Sequence, residues 1–98
     1  MNRYLISQAA SQDLQAILDY FLTRNIDAGD RFVREFNRKC KNLTSFPNMG
    51  RTYPEIAPEL RGIPLDSYII LYKVVGDAIT IVRVVSGYQD LSNLGDLS

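Results

Sequence analysis

Six stretches of the chain alternate or recur with a readable period. Residues 3–7 (RYLIS) form a short apolar run that predicts a strand, and Ser7 is placed to cap a following helix. From about Gln8 to Thr23, Ala10, Leu14, Ile17 and Phe21 recur at spacings of four, three and four. That makes one apolar stripe, which Leu18 and Leu22 widen. A second helix is predicted from Ala28 to about Phe46, with Asp27 as N-cap. Phe32, Phe36, Cys40 and Leu43 form its inner stripe, and Pro47 ends it. Asn48 to Glu59 holds two prolines and a glycine and reads as an irregular loop. Three strands follow, at Leu60–Leu65, Tyr68–Val75 and Ala78–Ser86, the last two joined by the two-residue turn Gly76-Asp77. Gly87 to Ser98 is polar, with Leu91, Leu94 and Leu97 three apart, and reads as a short helical tail or a frayed end.

These elements predict one α+β domain over residues 1–98, ordered β-α-α-β-β-β, with a two-helix hairpin on a small antiparallel sheet. Strand alternation then assigns faces. Pairing Val75 with Ala78 and Tyr72 with Ile81 puts Tyr68, Ile70, Tyr72, Val74, Ile79, Ile81, Arg83 and Val85 on one face. Ile69, Leu71, Lys73, Thr80, Val82, Val84 and Ser86 fall on the other. Both faces are largely apolar and two helices cover only one. The expectation is that a partner covers the second.

Composition narrows the chemistry. The 98 residues carry no net charge and are 46% hydrophobic, which argues against a disordered chain or bulk nucleic-acid coating. The charge is nevertheless uneven. Arg31, Arg34, Arg38, Lys39, Lys41 and Arg51 face a single acid, Glu35, between positions 31 and 51. On the second helix Arg31, Arg34, Arg38 and Lys41, three and four apart, form a face, read as solvated with anion binding as the alternative. No histidine is present, so the commonest general base and zinc ligand are both missing, and no cluster has metal-ligand spacing. No cofactor or metal is expected. The single cysteine, Cys40, lies on an inner stripe and reads as a small buried hydrophobe. With no secretory signal and no membrane-length apolar run, a cytoplasmic location is expected.

Individual residues carry specific expectations. Arg83 reads as a structural arginine paired with Asp13 on the flank of the first helix. Arg51 and Arg61 flank the proline-rich loop, where contact and structural roles stand equally open. Tyr88, Gln89 and Asp90 follow the last strand, a usual place for functional loops.

Segments YLISQAASQDLQAILDYF (4–21), LTSFPNMGRTYPE (43–55), LRGIPLDSYIILYKV (60–74) and ITIVRVVSGYQDLSNL (79–94), in this order and spacing, resemble the RelE/ParE superfamily of toxins from type II toxin–antitoxin pairs, and its ParE branch more closely. The resemblance implies the β-α-α-β-β-β fold, a bacterial source, a plasmid-stabilisation setting, and a hetero-oligomer with a cognate antitoxin protein. ParE-like members look like inhibitors of DNA gyrase. RelE-like members are ribosome-dependent messenger-RNA endonucleases. Nuclease members tend to carry a basic residue where Ile69 stands, three places before the tyrosine matching Tyr72. In ParE-like members histidine is common at the place of Ser86 and arginine near Gln89.

The expectation is therefore a non-catalytic gyrase inhibitor whose target- or antitoxin-contacting residues are Arg51, Arg61, Ile69, Leu71, Ser86, Tyr88 and Gln89. The alternatives are a nuclease using Arg51, Arg61 and Tyr88 on ribosome-bound messenger RNA, and a degenerate, non-toxic antitoxin-binding module. Phosphodiester cleavage needs a base, an acid and cations for the phosphate, and a face presenting Ile69, Leu71, Val82, Val84 and Ser86, with Lys73 as its cation, supplies little of that.

Overall fold

The computed structural model describes residues 3–87. Strand β1 (Arg3–Ile6) leads into α1 (Gln8–Arg24) and α2 (Ile26–Ser45), and β2 (Arg51–Thr52), β3 (Arg61–Leu65), β4 (Tyr68–Val75) and β5 (Ala78–Ser86) follow. The sheet order is β1-β5-β4-β3-β2. All pairs are antiparallel except β1–β5, which runs parallel from Arg3–Ala78 to Ile6–Ile81. This is the α+β fold with a helical hairpin on the sheet. It adds the two-residue β2 inside the segment expected to be irregular.

Caps and turns set the boundaries. Ser7 accepts a hydrogen bond from the Ala10 amide at 3.0 Å, as expected of an N-cap. α2 begins earlier than predicted. Its N-cap is Asn25, not Asp27, and the Asn25 side chain accepts from the Ala28 amide. Asn25 also ends α1, donating its own amide to the Phe21 carbonyl at 2.7 Å, so a single residue serves both helices. Gly76 opens the β4–β5 turn at φ 61°, a conformation costly for any residue bearing a Cβ.

The main core lies between the helices and one sheet face. Phe32, Phe36, Cys40 and Leu43 of α2 and Ala10 and Ile17 of α1 meet Ile70, Tyr72, Ile79 and Ile81. Leu22, expected to widen the α1 stripe, is 66% exposed.

The second sheet face departs from expectation in two ways. First, a β-bulge interrupts β4–β5: Tyr72 pairs with Ile81 as predicted, but Leu71 pairs with Arg83, leaving Val82 as the extra residue. One inserted residue exchanges the faces of everything beyond it. Val84 now lies opposite Ile70 in the main core, and Ser86 opposite Tyr68. Arg83 lies opposite Leu71, and Val85 opposite Ile69 in the second core. Second, that face is covered by the chain itself. Tyr53, Ile56, Ala57 and Leu60 of the proline-rich segment close over Leu71, Val85, Ile69 and Val82. A partner is not needed there, because this segment is apolar every few residues and crosses the sheet.

The bulge is held from α1. Ser7 Oγ donates to the Val82 carbonyl at 2.9 Å, and Asp13 Oδ2 accepts from the Val84 amide at 3.0 Å. Asp13 also receives Arg83 Nε at 2.7 Å and Arg83 Nη2 at 3.0 Å, a bidentate pair where β5 runs past the end of β1. These bonds raise the pKa of the Arg83 guanidinium further. The first helix thus supplies the partners that the ladder cannot give to the bulged backbone.

Candidate functional site

The connection from α2 to β3 is irregular in backbone yet densely tied down. Tyr72, with no exposed surface, extends its ring from β4 beneath the loop. Its hydroxyl donates to the Pro47 carbonyl at 2.8 Å and accepts from the Gly50 amide at 3.0 Å. A Cβ on Gly50 would lie 2.6 Å from that hydroxyl and 3.0 Å from the Gly62 carbonyl, so only glycine fits. Arg61 Nη1 donates to the Asn48 and Gly50 carbonyls at 3.0 and 2.8 Å. Burial raises the Tyr72 pKa, opposed by the Gly50 hydrogen bond and the nearby Arg61 charge.

Arg51 stands outside this network. Its guanidinium lies 4.2 Å from the centre of the Tyr53 ring and 3.9 Å from Glu55, and its side chain is 65% exposed. The two loop arginines therefore differ: Arg61 holds the loop, and Arg51 faces solvent. Of the other residues singled out in the sequence, Leu71 is fully buried under the loop, and Ile69 is partly buried beside it. Ser86 lies on the opposite face from both. Tyr88 and Gln89 fall outside the described residues, as do Leu91, Leu94 and Leu97.

The helical side carries a surface that extends off the inner stripe of α2. Ile6, Leu14, Leu18, Phe32, Val33, Phe36 and Asn37 line an apolar cavity of about 170 Å³ between α1, α2 and β1. Leu18 and Val33 also line an adjoining cavity of about 260 Å³ that reaches Leu22 and Ile26 at the hairpin tip. Asn37 leads the other way into a basin of about 440 Å³ lined by Arg3, Tyr4, Lys41 and Thr44. The sequence signal was present in Val33 and Ile26, apolar residues lying off the inner stripe.

In chemical terms, these surfaces are mostly apolar. Cys40 is buried, and burial pushes its thiol up to about 12, which leaves it protonated and inert. Among the described residues no group of three potential ligands is placed to hold a metal ion. Nor is any described helix long and apolar enough to cross a membrane.

A solved chromosomal ParDE toxin–antitoxin system from P. aeruginosa superposes with a TM-score of 0.72 at 24% identity, over 88% of this chain and 95% of that one. Toxin ParE3 of Caulobacter vibrioides is 23% identical over 93 residues, covering 94% of this chain and 93% of its own length. Residues 4–91 match the family model described as ParE toxin of type II toxin-antitoxin system, parDE. The chain belongs to the ParE toxin family, the branch of the RelE/ParE superfamily that its sequence resembles.

Proposed function

We propose that this protein arrests growth by inhibiting DNA gyrase in the bacterial cytoplasm, and that a cognate antitoxin holds it inactive in a hetero-oligomer. The observation that carries this reading is the state of the polar groups on the sheet. The Arg61 guanidinium, which the nuclease alternative would turn toward RNA, is already engaged with the protein's own backbone, as is the Tyr72 hydroxyl next to it. Ile69 and Leu71 offer neither a base nor a cation. What the surface offers instead is binding energy, which suffices to favour one state of a target enzyme over others.

The antitoxin is assigned to the helical groove. Ile6, Leu14, Leu18 and Val33 suit the apolar side of an amphipathic segment, and Arg3 and Lys41 at its end suit carboxylates. The test is co-expression. Leu18→Glu with Val33→Glu should leave the toxin active and abolish rescue by the antitoxin. Rescue that survives both charges would remove the groove from the account. A ribosome-dependent nuclease would instead show cleavage of translated messenger RNA, and a degenerate module would show neither arrest nor gyrase inhibition.

A further inference from the structure

We propose that residues 46–51 form a rigid knob that docks into a concave, carboxylate-rimmed apolar pocket on the toxin's folded target, separate from the antitoxin groove. The inference rests on the reading above only in treating the chain as a toxin with a protein target. Phe46 is 64% exposed and Met49 48%, although each is large enough to repay burial. They sit one turn apart, with the Met49 amide donating to the Phe46 carbonyl at 3.2 Å. Exposed apolar side chains on a loose loop fold back onto their own domain. Here the backbone is tethered: Pro47, Asn48 and Gly50 are each fixed to Tyr72 or Arg61, and Gly50 is sealed against the sheet. Four hydrogen bonds tie the backbone of Pro47, Asn48 and Gly50 to a fully buried tyrosine and an arginine, and the segment they hold carries two apolar side chains out in water. A surface ordered before contact loses less entropy on binding.

Shape and charge select the occupant. The knob projects, so it fits a pocket in a folded protein, whereas the helical groove fits a segment. Phenylalanine, methionine and arginine are the residue types enriched where protein partners meet. Arg51 completes the set. Its nearest carboxylate, Glu55, is 3.9 Å away and more than half exposed, a loose contact that a better-placed carboxylate on a partner would displace. None of the groove residues assigned to the antitoxin belongs to the knob, so the two surfaces are separable by substitution.

The experiment compares the parent with Phe46→Ser/Met49→Ser and with Arg51→Glu. It reads growth arrest on induction, gyrase supercoiling, antitoxin affinity by calorimetry, and thermal melting. All three substituted residues are exposed, so melting should stay within a few degrees of the parent. Antitoxin affinity should not change. The concentration needed for arrest should rise by roughly thirtyfold or more for the double variant, the effect of losing a central anchor. Arg51→Glu should lose activity in the same direction. Full arrest by the double variant would overturn the proposal, and so would a loss of antitoxin affinity with arrest intact. If the parent arrests growth without touching gyrase and the double variant arrests nothing, the knob stands and the gyrase assignment falls.

Discussion

Replacing Tyr72 by phenylalanine removes one oxygen and keeps the ring, so it isolates the hydroxyl that holds the loop. The hydroxyl has two partners, the buried Gly50 amide and the half-buried Pro47 carbonyl. An unsatisfied buried group costs about 1–3 kcal/mol, and the Pro47 carbonyl, nearer to solvent, recovers part of its loss from water. The expected destabilisation is therefore about 2–3 kcal/mol. In a protein of this size each kcal/mol lowers the melting temperature by roughly 4–8 °C, so the shift should be on the order of 10–20 °C. Urea unfolding followed by far-ultraviolet circular dichroism measures it, and the slope against denaturant should not change. Hydrogen exchange should show the Gly50 amide losing protection ahead of the strands. The control is Tyr4→Phe, whose hydroxyl makes only an exposed 3.5 Å contact with Asn37, and it should stay within about 0.5 kcal/mol of the parent. A Tyr72→Phe variant as stable as the control would refute the claim that the tyrosine organises the loop.

Arg83→Ala should cost about 2–4 kcal/mol, and Asp13→Ala somewhat more, because it also strands the Val84 amide at the bulge. In a double-mutant cycle of thermal unfolding the two should couple by more than about 1 kcal/mol. The Cys40 thiol, raised from 9.0 to about 12 by burial, binds its proton more tightly folded than unfolded. Its contribution is complete below pH 9 and is lost as pH rises toward 12. Cys40→Ala should flatten the alkaline fall in stability between those values, and native protein should resist alkylation. Gly76→Ala should cost about 1–2 kcal/mol in the same unfolding assay, since φ at this position is 61°.

Much of the fold was legible from spacing alone. The α2 stripe of Phe32, Phe36, Cys40 and Leu43 is buried as read, and Val75–Ala78 and Tyr72–Ile81 pair as the turn dictates. The face assignment failed beyond Ile81, because alternation counts residues and cannot register an inserted one. No glycine marks the bulge, and its support comes from Ser7 and Asp13, some seventy residues away in the chain. The proline-rich segment was read by its turn-formers, which hid Tyr53, Ala57 and Leu60 as a cover for the second face. Spacing cannot choose between Asn25 and Asp27, because both side chains cap well and which one does so depends on where α1 ends. The roles of Tyr72 and Arg61 in the loop could not be read at all, since their partners are backbone atoms.

The most direct test of the central claim uses toxin released from its antitoxin, with two assays run on one preparation. The first is ATP-dependent supercoiling by purified gyrase, and the second is messenger-RNA integrity on translating ribosomes. Supercoiling should stop at a toxin concentration comparable with that of gyrase, adding antitoxin should restore it, and the messenger should stay intact. Codon-positioned cleavage on ribosomes with gyrase unaffected would contradict that claim.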